Sequence, residues 1–124
     1  MDETWELLRE LLTEKGVLIV AVPNCSSYDA MKYGKYWAAY DVPRHLWHFT
    51  PATIQQFGSK HGFILAARHP MPFDAFYVSM LTEKHKGSAY SFVKGMWTGT
   101  VAWLSAQAKK ERSSSMIYVF RKKR

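Results

Sequence analysis

A short run of branched apolar residues decides the fold of this chain: Val17-Leu18-Ile19-Val20-Ala21-Val22, which ends at Pro23. Its β-branched composition predicts a strand. The lack of polar alternation favours a strand buried on both faces, as in a parallel sheet under helices. Immediately before it, Lys15-Gly16 is a good helix stop, because a cation suits the last helical turn and glycine can take a positive φ. Helix, glycine and buried strand make half of an α/β unit.

Outward from this strand, helical and strand patterns alternate along the chain. An amphipathic pattern precedes the strand, and Thr50-Pro51 is a strong helix start with a cap and a proline at the first position. We predict helices at 2–15, 51–61, 74–83 and 90–109, and further strands at 63–67 and 116–120. The predicted class is therefore α/β with three strands. The first strand is apolar enough to need neighbours on both sides, which indicates part of a larger fold.

Length and composition bound the class of protein. The 124 residues form one predicted domain, 1–124, and 48% apolar with 22% charged residues is globular composition. A single cysteine excludes an internal disulfide. No secretory signal opens the chain, so we expect a cytoplasmic protein. The net charge of +7 permits anionic partners. However, no charge-free stretch spans a bilayer and no nucleic-acid-binding signature is present, so we expect neither a membrane nor a nucleic acid as partner.

The segment between the first strand and Thr50 is long and rich in aromatic residues. Such a connection is usually functional or disordered, and its aromatic content argues against disorder. Asn24 and Tyr28 follow the carboxyl end of the strand, where ligands bind in open α/β sheets, although asparagine also suits a plain turn. Trp37 and Tyr40 can line a pocket or pack in the core. We interpret Cys25 as a small packing residue.

The strongest candidate for chemistry is a group of polar residues near the end of that segment. His45 and His48 stand three positions apart, after Asp41 and Arg44. A histidine near neutrality can accept a proton, and an arginine can hold an anionic substrate through two hydrogen bonds. Equally, the group can anchor the loop by hydrogen bonds to the backbone, with Arg44 paired to Asp41. No second pair of ligands accompanies the histidines, so we expect no metal.

Several of these segments together resemble one enzyme family. They are the Lys15-Gly16 turn, the strand 17–22 ending in Val22-Pro23-Asn24, and the block Pro43-Arg44-His45-Leu46 with His48-Phe49. In this order they resemble the C-terminal half of class I methyltransferases that use S-adenosylmethionine, in the branch that acts on small molecules and the cell envelope. The resemblance covers nearly the whole chain and is most specific over residues 15–62.

The resemblance implies a Rossmann-like sheet of seven strands whose last strand runs antiparallel between the fifth and sixth. Residues 17–22, 63–68 and 116–120 would be strands five, six and seven, and helices between Asp74 and Lys110 would cap the substrate. The partner would be a small-molecule acceptor, with His48 or His45 as the base. The implied substrate-binding residues are Asn24, Tyr28, Trp37, Tyr40, Asp41, Arg44 and Tyr77.

The chain departs from the family at the cofactor site. The family binds S-adenosylmethionine through a glycine-rich turn after its first strand, and the glycines at 16, 34, 58, 62, 87, 95 and 99 form no glycine-x-glycine pair. We therefore expect the cofactor-binding N-terminal half to be absent, no cofactor-binding residue in this chain, and no activity of this chain alone. The alternative is a non-catalytic α/β interaction module that forms a homodimer through an open sheet edge.

Overall fold

The structure, a computed structural model that describes residues 1–123, contains a small antiparallel sheet. Its strands are β1 (Val17–Pro23), β2 (Phe63–Pro70) and β3 (Ser115–Lys122). Among the described residues their order is β1-β3-β2, and β3 runs antiparallel to both neighbours. β1 and β2 therefore run parallel to each other, with the last strand of the chain between them.

Helices lie on one face of this sheet and beside it, and the α/β class predicted from the sequence is confirmed. Within residues 1–123 they are α1 (Asp2–Leu11), α2 (Tyr28–Tyr33), α3 (Pro51–Lys60), α4 (Asp74–His85) and α5 (Ser91–Ala108). Short 3-10 turns lie at Gly34–Tyr36, Ala38–Tyr40 and Lys110–Arg112. In the part of the chain that the structure describes, no helix is long and apolar enough to cross a membrane.

The start of α3 follows from its local sequence. Thr50 Oγ1 accepts a hydrogen bond from the Thr53 backbone N–H at 3.1 Å, and Thr53 Oγ1 accepts one from the Thr50 N–H at 2.8 Å. This reciprocal capping satisfies two backbone donors, and Pro51 at the first position has no N–H to satisfy. The helix start predicted at Thr50-Pro51 is confirmed, and it fixes where the long aromatic segment ends.

The main core lies under one face of the sheet, between the strands and helices α1 and α3. Its buried members are Trp5, Ile54, Phe63, Met116, Tyr118 and Phe120. Trp5 meets the rings of Phe63 and Phe120 edge-on, at centroid distances of 5.5 and 5.4 Å. These contacts hold α1 against the sheet, because a buried indole contributes a large apolar area to one cluster.

The opposite face of the sheet is uncovered, so the prediction that β1 is buried on both faces is wrong. Along β1 alternate side chains turn outward, and Ile19 is 63% exposed. The outward residues of the three strands are mostly apolar, and we call five of them the open sheet face: Val17, Ile19, Ile64, Ile117 and Val119. His69 and Arg121 lie on the same face, beside Ile117 and between Val17 and Ile64. The physical reason is that α1 and α3 both pack on the other side. Within residues 1–123, β1 also pairs with a strand on one side only.

Helices α4 and α5 form a tightly packed hairpin beside the sheet. A Cβ atom added to Gly95 would lie 2.5 Å from Met80 Cα, and one added to Gly99 would lie 2.8 Å from Phe76 Cα. The two backbones therefore approach more closely than any larger residue permits. This hairpin supplies one wall of the candidate site.

Candidate functional site

A cavity of about 290 Å³ lies beyond the carboxyl end of β1, between the 38–45 segment and α4. We call it the β1 cavity. Its lining residues are Pro23, Ala38, Ala39, Asp41, Arg44, His45, Asp74, Tyr77, Val78, Leu81 and His85. The structure thus brings together four of the residues that the sequence singled out, namely Asp41, Arg44, His45 and Tyr77. The position agrees with the general rule that ligands of open α/β sheets bind at the carboxyl ends of strands.

His45 is held in the orientation that a base requires. Its Nδ1 lies 3.1 Å from the backbone oxygen of Ala39. Since a carbonyl oxygen only accepts hydrogen bonds, Nδ1 must carry the proton and donate it. In the neutral ring this leaves the Nε2 lone pair free to accept a proton. Of the two predicted base candidates, His45 is the one that lines the β1 cavity.

His48 serves the loop instead. Its Nε2 donates to the backbone oxygen of Tyr40 at 3.0 Å, and its ring meets the Tyr40 ring edge-on at a centroid distance of 4.9 Å. His48 is not among the residues that line the β1 cavity. Its contacts match the anchoring interpretation of the histidine pair, in which a side chain ties the loop to its own backbone.

The ion pair between Asp41 and Arg44 is consistent with both interpretations of this group, loop anchoring and the binding of an anionic ligand. Arg44 Nη2 lies 2.8 Å from Asp41 Oδ1, and Arg44 Nε donates to the same oxygen at 3.1 Å. Asp41 has a φ of 40°, a left-handed conformation that aspartate tolerates better than most residues. The Arg44 side chain is 82% exposed, so its remaining N–H groups stay open to an anionic ligand at the cavity mouth.

Asn24 and Trp37 do not line this cavity, and both are only 1% exposed. The Asn24 side chain donates to the backbone oxygens of Glu111 and Ser113, at 2.7 and 2.9 Å. Its Oδ1 accepts from the Ser26 N–H at 3.0 Å. Both ends of the Asn24 amide are thus bonded within the protein and not directed at a ligand site. They connect the end of β1 to the turn that precedes β3.

Trp37 belongs to a buried hydrogen-bond network that the sequence analysis missed. Its Nε1 donates to Asp29 Oδ2 at 2.8 Å, and Ser114 Oγ donates to Asp29 Oδ1 at 2.8 Å. Asp29 is fully buried. This network fixes the aromatic segment against the start of β3. Tyr40 packs edge-on against Trp37 at 5.1 Å and Tyr28 begins α2, and neither lines the β1 cavity.

Two polar cavity residues were also missed as site candidates. Asp74 accepts a hydrogen bond from Ser115 Oγ, which links α4 to β3. Its position at a helix start made capping the natural interpretation and hid its place in the cavity wall. His85 lies in the last turn of α4, two residues beyond the predicted end of that helix. No local sequence signal connects either residue to His45.

The structure gives no support for a metal site or a reactive thiol. No group of three or more histidine, cysteine or acidic residues among residues 1–123 could hold a metal ion. The Cys25 thiol donates to the Phe49 carbonyl oxygen at 3.2 Å, and burial raises the pKa of that thiol. A raised pKa lowers the fraction of nucleophilic thiolate, as expected for a packing residue.

Among the described residues, no glycine-rich turn follows the carboxyl end of a strand. A phosphate- or nucleotide-type cradle needs a glycine turn after the carboxyl end of a strand. Gly16 and Gly62 instead precede β1 and β2, and β1 is followed by Asn24 and Cys25. Compared with known proteins, the chain matches no protein-family model and no curated sequence.

Proposed function

We propose that the chain is the C-terminal half of a class I methyltransferase that uses S-adenosylmethionine and acts on a small acceptor. One observation carries this proposal. The order β1-β3-β2, with β3 antiparallel between two mutually parallel strands, is the order that the family resemblance implies for strands five, seven and six. Few small α/β domains need their last strand inserted in this way, because sequential strands are usually neighbours.

In this proposal the chain supplies the acceptor pocket. The β1 cavity has apolar walls from Ala38, Val78 and Leu81 and a few polar groups at its mouth, which is typical of small-molecule sites. The His45 Nε2 atom would accept the proton that a hydroxyl or amine acceptor loses. Arg44 would hold an anionic group of the acceptor. The residues that bind the cofactor would belong to the other half of the protein.

The open sheet face supports the existence of such a second half. An antiparallel sheet can leave one face in water when that face is polar, whereas an apolar sheet face is normally buried against a second layer. Here the outward side chains include Val17, Ile19 and Ile64, all exposed and apolar. A further layer from an N-terminal half would bury them and would give β1 its missing neighbour.

The test is calorimetric titration of S-adenosylhomocysteine into two proteins. One is the 124-residue chain, and the other is the same chain extended by the residues encoded upstream of Met1. We expect no binding to the first and binding to the second. In the extended protein, Ile19→Lys should weaken binding by disturbing the contact between the halves. Leu11→Lys, at a site 72% exposed on α1, is the matched control. Binding by the short chain, or none by the extended one, would contradict the proposal.

The second candidate is an interaction module that dimerises through its sheet edge. It is favoured by the position of β1, which is an edge strand among the described residues and carries apolar outward side chains. Unprotected edges of this kind pair readily with another strand. Light scattering after size exclusion across a range of concentrations tests it. A chain that is monomeric at every concentration rules out the dimer.

A further inference from the structure

One face of α5 is built from large apolar side chains that point to solvent. Its exposed members are Phe92, Val93, Met96, Trp97 and Leu104, which we call the α5 outer stripe. At ~100° per residue they fall within an arc of about 140°. The adjoining part of the helix circumference carries the buried small residues, including Gly95 and Gly99, that pack against α4. The helix is therefore inverted relative to an ordinary surface helix, with its small residues inside and its bulk outside.

The charges around this stripe are mainly positive, although Glu83 lies near Trp97 and 3.9 Å from Lys86, and Glu111 lies 3.9 Å from Lys109. Residues 84–110 contain five lysines and no aspartate or glutamate. Lys84 and Lys86 precede the helix, Lys94 lies in its first turns, and Lys109 and Lys110 follow its end. Large apolar side chains between cationic ends are the pattern of helices that lie in the interface of an anionic membrane.

We propose that the α5 outer stripe docks on the surface of an anionic phospholipid bilayer. The helix would lie parallel to the surface, with Trp97 and Phe92 in the headgroup region and the lysines on lipid phosphates. Trp97 is 69% exposed, and an indole has an apolar body with a polar N–H that suits this region.

Charge favours lipid over a second copy of the chain. If two α5 helices packed in either direction, lysine-bearing ends would meet lysine-bearing ends, and no acidic residue within 84–110 could compensate. Like charges brought together at an interface oppose association. The proposal differs from the sequence-based expectation of no membrane partner, in which an anionic-membrane binder is only a third and weaker hypothesis. It does not depend on the proposed methyltransferase function.

The experiment is flotation of the 124-residue chain with vesicles of phosphatidylcholine alone, or with about 30% phosphatidylglycerol. We expect binding to the anionic vesicles only, weakened by added salt. Trp97→Ala should weaken binding about tenfold. Trp47→Ala removes an indole that is 61% exposed outside the stripe and should leave binding unchanged. Lys94→Gln should weaken binding about fivefold. Circular dichroism verifies that each variant is folded.

Several results would overturn the proposal. These are absence of flotation with anionic vesicles, equal binding to neutral vesicles, or an equal loss in Trp97→Ala and Trp47→Ala. A dimer that light scattering detects in the wild type and not in Trp97→Ala would assign the stripe to a second copy instead. Since no cofactor enters this assay, its failure would leave the methyltransferase proposal unaffected.

Discussion

The buried carboxyl group of Asp29 offers the sharpest test of how the candidate site is held in place. Its two oxygens accept hydrogen bonds from Trp37 Nε1 and Ser114 Oγ, each at 2.8 Å, and no part of the residue is exposed. We predict that Asp29→Ala lowers the free energy of unfolding by about 4 kcal/mol. The indole N–H cannot turn to another partner, and a buried donor left without one costs about 1–3 kcal/mol. The lost Ser114 hydrogen bond and the small cavity add the remainder.

Asp29→Asn should be far milder, at about 1 kcal/mol. The asparagine oxygen can still accept from Trp37, while its amide group donates to Ser114, because a hydroxyl both donates and accepts. Only the additional strength of hydrogen bonds to a carboxylate is lost. Asp41→Asn is the matched control, since Asp41 is at the surface and asparagine tolerates its left-handed φ. It should change the unfolding free energy by less than about 0.5 kcal/mol.

Urea titration followed by far-ultraviolet circular dichroism measures all three variants. Stabilities of single domains are about 5–15 kcal/mol, so Asp29→Ala removes a large and easily measured share. The reasoning is refuted if Asp29→Ala lies within about 1 kcal/mol of the wild type. It is also refuted if Asp29→Asn is as damaging as Asp29→Ala. That result would mean that the Ser114 hydroxyl does not change from donor to acceptor when the residue facing it is asparagine.

Three further predictions concern the core, the hairpin and the cavity. Burial raises the pKa of Tyr118 to about 12 from 10.0. The stability that its neutral form provides is therefore complete below pH 10 and lost towards pH 12, so Tyr118→Phe should gain stability relative to the wild type over that range in urea titrations. Gly95→Ala places Cβ 2.5 Å from Met80 Cα, and thermal unfolding should show a loss of about 2 kcal/mol. If the proposed methyltransferase function holds, assays of the extended protein should show that His45→Gln lowers kcat by about 100-fold or more, whereas His48→Gln lowers it less than about tenfold.

Local signals in the sequence located most elements of the fold, although α1 ends at Leu11 and not at the predicted Lys15-Gly16 stop. The run at 17–22 is bounded by Gly16 and Pro23, and β1 occupies Val17–Pro23. Thr50-Pro51 marks the start of α3 because capping and proline act within one turn. The same local signals could not predict whether the second face of β1 is buried. An uninterrupted apolar run has the same pattern whether its outer face is covered by this chain, by another polypeptide or by nothing.

The candidate site was predictable only in part, because its geometry depends on contacts distant in sequence. The spacing of His45 and His48 indicates possible chemistry but not which ring nitrogen binds a backbone oxygen, and that hydrogen bond separates their roles. Asp29 meets Ser114 across 85 positions, and no local pattern records such a pair. Asp74 was hidden by its suitability as a helix cap. Residue types thus indicated the region, while tertiary packing selected the residues.

The two uncovered apolar surfaces of this chain differ in the charges around them, and that difference predicts different partners. A free-standing protein protects an edge strand with charged side chains, yet the outward residues Val17, Ile19 and Ala21 of β1 carry none. A surface that offers free backbone groups together with apolar side chains is best satisfied by another polypeptide. The α5 outer stripe offers no free backbone, since its helix satisfies its own hydrogen bonds. Because lysines lie at both ends of the stripe, an anionic lipid surface fits it better than another polypeptide does. A second half that covered the sheet would therefore leave the apolar side chains of the stripe exposed to water.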